Sequence, residues 1–266
     1  MATWLIILLA VAGAADAAGI FLWYACAYPK SRILGPAIIR GPSHRPRVAL
    51  TFDDGPQPPY TEQILEILAD NRTPATFFVC GRNAELYPGL VRSASVAGHS
   101  IGNHAYSHPY MYGLSVKRIA DEIRRTQEAV VRAAGVRPRF FRPPYGSRWF
   151  GLYPVLKQNN LTLVQWSDTG RDWELPADEI AEAVLSGLRP GAVIVLHDGV
   201  QASGGFLKWK FGRKGGAQQE PPGEIPASAR AATIAALPAI LRGVRAMGYD
   251  FVALEEFVPW SCAEPP

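Results

Sequence analysis

Residues Val48-Ala49-Leu50-Thr51-Phe52-Asp53-Asp54-Gly55-Pro56 read VALTFDDGP: an apolar run that ends in two adjacent carboxylates and then turns. The run Val48–Phe52 reads as a buried strand. Asp-Gly-Pro is ordinary turn chemistry. A turn needs only one of the two acids, however, and the second adds like-charge repulsion without any gain in packing. The rest of the chain has to supply its purpose.

Downstream of this stretch, strand-like and helix-like segments alternate. Thr61–Asp70 predicts a helix, with Ile64, Leu65, Ile67 and Leu68 on a 3.6-residue period. Ala75–Cys80 predicts a strand, and Tyr87–Ala97 a helix closed by Gly98. Ser115–Ala134 predicts a longer amphipathic helix ended by Gly135, with Ile119, Ile123, Val130 and Ala134 inward. Strands at Arg139–Phe141, Leu161–Trp166, Ala192–Leu196 and Asp250–Ala253 alternate with helices at Gly151–Asn160, Ala177–Leu188 and Ala229–Met247. The alternation predicts an α/β fold with a parallel sheet or barrel. Val200–Ser228 has no period and many Gly, Pro, Lys and Gln residues, and reads as a long surface loop, 200–228, within the domain. Its Phe206, Trp209 and Phe211, interleaved with Lys208, Lys210 and Arg213, suit a sugar platform or a membrane surface; disorder is the alternative.

Upstream lies a linker, 29–46, with Pro29, Pro36, Pro42 and Pro46. Before it, Trp4–Tyr28 is apolar except for Asp16 and is long enough for a membrane span. Residues 1–28 therefore read as a membrane anchor or uncleaved signal helix, and 47–258 as the globular domain. No Lys or Arg precedes the apolar core, unlike a cleaved signal peptide. Lys30, Arg32 and Arg40 follow it, and by charge bias they favour a cytoplasmic domain. Cleavage near Ala17 or Ala18 would instead make the domain a secreted one. The chain has 266 residues, a net charge of +4 and no block of like charges, which excludes a nucleic-acid surface. Cys26, Cys80 and Cys262 form neither a disulfide framework nor a cysteine metal site.

The second informative stretch is Gly98-His99-Ser100-Ile101-Gly102-Asn103-His104-Ala105-Tyr106-Ser107-His108-Pro109. It holds three of the five histidines in the chain. His104 and His108 are four apart, a spacing that lets both imidazoles face one point from a single turn. His99 reads as structural. Two imidazoles and one carboxylate of the Asp53–Asp54 pair make a three-ligand site for a divalent cation, with the other carboxylate left to take a proton from water. The two acids are adjacent because ligand and base must reach the same water. No His-Glu-x-x-His occurs, which argues against a metalloprotease.

Two more stretches belong with these: Arg139-Phe140-Phe141-Arg142-Pro143-Pro144-Tyr145-Gly146, and Leu196-His197-Asp198 at the end of an apolar strand. Asp53, Arg142, Asp172 and His197 all fall near predicted strand ends, where α/β folds gather functional groups. Together with Asp172-Trp173, these motifs resemble the polysaccharide deacetylase family, the NodB-homology domain, over about residues 48–255. The resemblance implies a distorted (β/α) barrel of the NodB-homology type and metal-dependent removal of N-acetyl groups from amino sugars. Zn2+ is the expected cation, with Co2+, Mn2+ or Ni2+ as alternatives. It implies Asp53 as base; Asp54, His104 and His108 as metal ligands; and Arg142 as the partner of the base. It implies His197 as general acid, tuned by Asp172, and a substrate site of Pro143, Tyr145 (backbone N–H on the oxyanion), Trp173 and Leu196. The chain departs from the family at Ala105, where the family often has Ser or Thr. The expected partner is an N-acetylated glycan. Two alternatives stand beside it: deformylation or deacetylation of a lipid-linked amino sugar, and a non-catalytic glycan-binding module.

Overall fold

A computed structural model of the chain describes residues 2–200 and 230–258. The expected loop therefore lies outside the described residues beyond Val200, and so does Cys262. The globular part contains β1 (Arg47–Asp53), α2 (Tyr60–Asp70), β2 (Thr76–Val79), α3 (Gly81–Leu86), α4 (Pro88–Val96), β3 (Ser100–Asn103), α5 (Val116–Ala134) and β4 (Phe140–Phe141). It continues with α6 (Leu152–Gln158), β5 (Thr162–Leu163), β6 (Asp168–Thr169), α7 (Ala177–Gly187), β7 (Val193–His197), α8 (Ala231–Ala246) and β8 (Asp250–Phe251). All strand pairs are parallel, in the order β5-β4-β3-β2-β1-β7-β6, with β8 on β1. This is the expected α/β barrel in half-open form. Helix α3 and strand β6 leave no trace in the sequence pattern, because each is too short to show a period.

Both faces of the central strands are covered, so the strands read as continuous apolar runs. Val48, Leu50, Phe52, Phe77, Val79, Ile101, Ile194 and Leu196 face the helix layer, against Ile64 and Leu68 of α2 and Leu237, Ile240 and Leu241 of α8. Each such side chain contributes about 1.5–3 kcal/mol when fully buried. The opposite face, the barrel interior, holds Ala49, Phe78, Phe140, Val164 and Val193. Helix α5 begins where the Ser115 hydroxyl accepts a hydrogen bond from the Arg118 N–H at 3.2 Å. It ends at Gly135, whose φ of 71° only glycine adopts without strain.

The Pro-rich linker is laid along the barrel. Ile38 bridges to Val164 beside β5, and Arg40 to Ala192 beside β7. The linker thus spans the open side of the sheet. Before it, α1 (Ala2–Ala27) is one continuous helix, with Ile7–Ala27 apolar and long enough to cross a membrane by length and composition, a test that a signal sequence also passes. Trp4, Leu8 and Leu9 are exposed, so α1 is not a core helix; only near its end are Ala25 and Cys26 buried. There the Arg148 N–H donates to the Cys26 carbonyl at 2.7 Å, and the buried Arg148 guanidinium donates to the carbonyls of Tyr28 and Ser31.

Gly191, between α7 and β7, has φ +78°, and a Cβ there would lie 2.3 Å from the Gly41 carbonyl oxygen. Gly191→Ala is therefore expected to cost at least about 2 kcal/mol, from left-handed strain plus displacement of the linker. Chemical denaturation would measure this; unchanged stability would refute the close packing of linker on barrel.

Candidate active site and metal centre

Strands β1 and β7 lie side by side with Asp53 level with His197. Strand alternation turns Asp53, Val195 and His197 into one cavity of about 620 Å3, lined also by Asp54, His104, His108, Tyr145, Trp166, Trp173, Val200 and Arg230. In a regular strand Asp54 would point away from Asp53. Its φ of +79° breaks the alternation and brings both carboxylates to the same cavity. The turn behind it is held by Asp198, which accepts from the Gly55 N–H at 3.1 Å and the Thr61 hydroxyl at 2.7 Å. A Cβ on Gly55 would lie 2.0 Å from the Asp198 carboxylate, so this turn needs glycine. Burial pushes the Asp198 carboxyl up to about 7, with Asp54 and Asp53 adding to the effect against its hydrogen bonds.

Asp53 Oδ1 accepts from the fully buried Arg142 guanidinium at 2.6 Å, which leaves Oδ2 on the side of His104, 3.9 Å from its Nε2. His104 and His108 do not share a helical turn, as the spacing suggested. They sit on the loop after β3, with φ of +61° at Ala105 and +54° at His108. This left-handed path, rather than helical periodicity, brings the rings to 5.1 Å between centroids. His104 Nδ1 lies 2.8 Å from the Arg142 carbonyl oxygen, which can only accept. The hydrogen is therefore on Nδ1, and the Nε2 lone pair faces Asp54 Oδ1 at 3.4 Å. His108 Nε2 lies 3.0 Å from the same oxygen.

These three ligand atoms lie within 4.8 Å of one another. Lone pair against carboxylate is repulsive unless a cation or proton lies between, and a set of two imidazole nitrogens and one oxygen suits a divalent cation. Burial alone would push the Asp54 carboxyl up; positive charge at His108 and hydrogen bonds from His104 and His108 outweigh it and hold it well below the usual carboxylate range.

On the other wall, His197 Nδ1 is 2.7 Å from Asp172 Oδ1, and Asp172 Oδ2 accepts from the His197 backbone N–H and the Thr233 hydroxyl, both at 2.8 Å. The carboxylate accepts a hydrogen bond from Nδ1–H and leaves Nε2 for the cavity. Burial pushes the His197 imidazole down, but Asp172, with help from Asp54 and Asp53, raises it to about 9. His99 stands apart: its Nδ1 accepts from the Ala75 N–H at 3.3 Å beneath the sheet, a structural place.

Two expected substrate contacts are not brought to the cavity. Leu196 points into the helix-side core beside Gly170 and Ile180, because it is one residue out of phase with His197; Val195 takes the wall position instead. Pro143 is buried and does not line the cavity; it shapes the turn by accepting from the Gly146 N–H at 2.9 Å. Tyr145 and Trp173 do line it, 43% and 54% exposed. Tyr145 has φ +57°, and its N–H is not among the turn's own donors. The sequence reading missed Trp166, Asp198 and Arg230. Asp198 lay within a quoted motif, whereas Arg230, buried and 3.9 Å from Asp54 Oδ2, has no motif around it.

A profile described as polysaccharide deacetylase matches residues 40–164. A peptidoglycan-N-acetylglucosamine deacetylase of Bacillus cereus is 40% identical over 169 residues, 63% of this chain; the chain spans only 60% of that relative's length. A chitooligosaccharide deacetylase of Rhizobium leguminosarum bv. trifolii is 36% identical over 215 residues, 79% of this chain and 90% of the relative. The crystal structure of a peptidoglycan N-acetylglucosamine deacetylase superposes with a TM-score of 0.70 at 34% identity, covering 83% of this chain and 92% of the other. With paired acids, a two-histidine loop and a strand-end histidine on this barrel, and with a relative 36% identical matched over 90% of its length, the chain belongs to the polysaccharide deacetylase family.

Proposed function

We propose that this hydrolase of the polysaccharide deacetylase family removes N-acetyl groups from an amino-sugar glycan, of the peptidoglycan or chitin-oligosaccharide kind on which its relatives are named. The observation that carries the reading is the convergence of Asp53, Asp54, His104, His108 and His197 on one cavity. A module that only bound glycan would need neither the paired acids nor the Asp172-oriented imidazole.

Asp54, His104 and His108 would hold the divalent cation, with Zn2+ the first expectation. When bound, it would polarise the acetamido carbonyl and acidify a water. Asp53 takes the proton on Oδ2, because Oδ1 is fixed by Arg142. The Tyr145 N–H donates to the oxygen that becomes negative. His197 delivers a proton from Nε2 to the departing amine, which would otherwise leave poorly. Trp173 and Val195 enclose the acetyl methyl.

A second reading, an N-acylated amino sugar carried on lipid, draws on α1, whose last turn is hydrogen-bonded to the segment that follows Tyr145. Acetate or formate release from N-acylated glycans and lipid-linked amino sugars, with and without added metal, separates the two readings. Release from none of them defeats both. We also propose residues 1–28 as an uncleaved membrane anchor and 47–258 as the catalytic domain. The intact mass should then include Met1 or Ala2, and the protein should resist carbonate extraction. A soluble product beginning near Ala17 would make the helix a secretion signal.

Asp54→Asn and His104→Ala should lose bound metal and activity together. Asp53→Asn should keep the metal and lose about 10²–10⁴ in turnover, the usual contribution of general acid–base catalysis. Metal analysis beside single-turnover rates decides the assignment; equal metal loss in Asp53→Asn would overturn it.

The pH dependence follows from the His197 shift. Its folded-state value, about 9 without metal, lies above the ordinary imidazole value, so the protonated form persists through neutral pH and is lost as pH rises. A bound dication repels the imidazolium, so the alkaline limb of the holoenzyme should fall below about 9. Asp172→Asn removes the raising charge and should move that limb further down. A limb that stays in place with metal retained would remove Asp172 from the role.

A further inference from the structure

The loop that carries His104 and His108 has no hydroxyl at Ala105 to brace it, yet all three backbone N–H groups between the histidines are engaged. The Ala105 N–H donates to the side-chain oxygen of Asn103 at 2.9 Å. The next two donate to one carboxylate oxygen: the Tyr106 N–H to Glu122 Oε2 at 2.9 Å, and the Ser107 N–H to the same atom at 2.7 Å. The second oxygen, Oε1, accepts from the Ser107 hydroxyl at 2.8 Å and lies 2.6 Å from the Arg118 guanidinium. Glu122 is 1% exposed on α5, the helix that also receives the Asn103 amide at the Ile123 carbonyl. The loop carbonyls are engaged as well, those of Ala105 and Tyr106 accepting from the N–H groups of Gly81 and Arg82 at the start of α3.

We infer that Glu122 is a positioning residue for the metal site: its carboxylate, reaching across from α5, fixes the left-handed loop so that both imidazoles meet Asp54. The inference rests on the reading of His104 and His108 as ligands. Glu122 touches neither imidazole, and its effect passes through the backbone between them. N–H donors shielded from water cost about 1–3 kcal/mol each when left without an acceptor, and these two, on half-buried residues, would reach water by rearrangement of the loop. Rearrangement moves the two histidines independently, and groups that orient metal ligands are worth about 10–100-fold in affinity. The carboxylate's reach matters here, rather than its charge, because Arg118 on its far side already balances that charge.

Reach and charge are separable. Glu122→Asp keeps the charge and withdraws the oxygens by one methylene; Glu122→Gln keeps one oxygen in place for the two N–H groups and removes the charge. Co2+ affinity of the full-length protein, by competition with a chromophoric chelator, should fall about 10–100-fold in Glu122→Asp and stay within about threefold of wild type in Glu122→Gln. Amide hydrogen exchange at Tyr106 and Ser107 in metal-free protein should accelerate in the Asp variant only. Arg118→Met should leave Co2+ affinity about unchanged, because the half-exposed Arg118 is not what holds the loop: the Tyr106 and Ser107 N–H groups and the Ser107 hydroxyl still bind the buried carboxylate. The reverse order, Gln weak and Asp strong, or affinity about equal to wild type in both, would overturn the inference. A wild-type protein that binds no Co2+ would defeat the metal-site reading itself. The exchange rates, read without metal, would still report whether Glu122 holds the loop.

Discussion

The site is organised around a guanidinium with no access to water. Arg142 is 0% exposed, and its side chain donates to Asp53 and Thr51 on β1 at 2.6 and 2.7 Å and to the Gln165 carbonyl at 3.2 Å. It packs over the Phe78 ring at 4.1 Å. Its backbone serves the other half of the site, with the carbonyl accepting from His104 Nδ1 and the N–H donating to the Asn103 carbonyl. One residue thus aims a carboxylate from one strand and fixes the tautomer of an imidazole from the next loop. Burial lowers the guanidinium's pKa, and the Asp53 carboxylate opposes that shift. Stability alone does not call for such a pair, since well-packed apolar residues often serve as well as a buried ion pair. Its geometry makes sense as preorganisation: Asp53, the proposed base, is held before any substrate arrives.

The adjacency of Asp53 and Asp54 then has a structural cause. Asp53 is the last residue of a strand and obeys alternation. Asp54 is the first residue past it and, with positive φ, violates alternation. Chain neighbours that ought to diverge are folded onto one cavity. The device works only because Gly55 leaves room for the Asp198 carboxylate that pins the turn, and because Asp198 directly follows β7, the strand that delivers His197.

The barrel and most of the site could be read from the sequence because both rest on short-range patterns. Continuous apolar strands, amphipathic helices and strand-end acids show in a few residues each. What could not be read depends on phase or on contacts distant in sequence. The motif position of Leu196 points to the cavity, although two-residue alternation from His197 selects Val195. The four-residue spacing of His104 and His108 suggested a helical turn, because spacing does not record the sign of φ at Ala105. Arg230 and Glu122 reach the site from α8's approach and from α5, and no local pattern marks either one.

Strain is concentrated at the same place. Among the described residues seven non-glycine positions have positive φ, and four of them, Asp54, Ala105, His108 and Tyr145, surround the cavity. Each costs of order 1–3 kcal/mol, so the set persists only where neighbours over-determine it. The neighbours are identifiable: Asn83 Nδ2 on the Asp54 carbonyl, Asn103 on the Ala105 N–H, and Ser147 bonded to both Pro144 and Met111 around the Tyr145 turn. None of these bonds adds to the core. They hold the backbone in conformations that bring the Asp54, His108 and Tyr145 side chains to one cavity. That is the expenditure expected of a site built for chemistry, and a barrel of the same stability could be built without it.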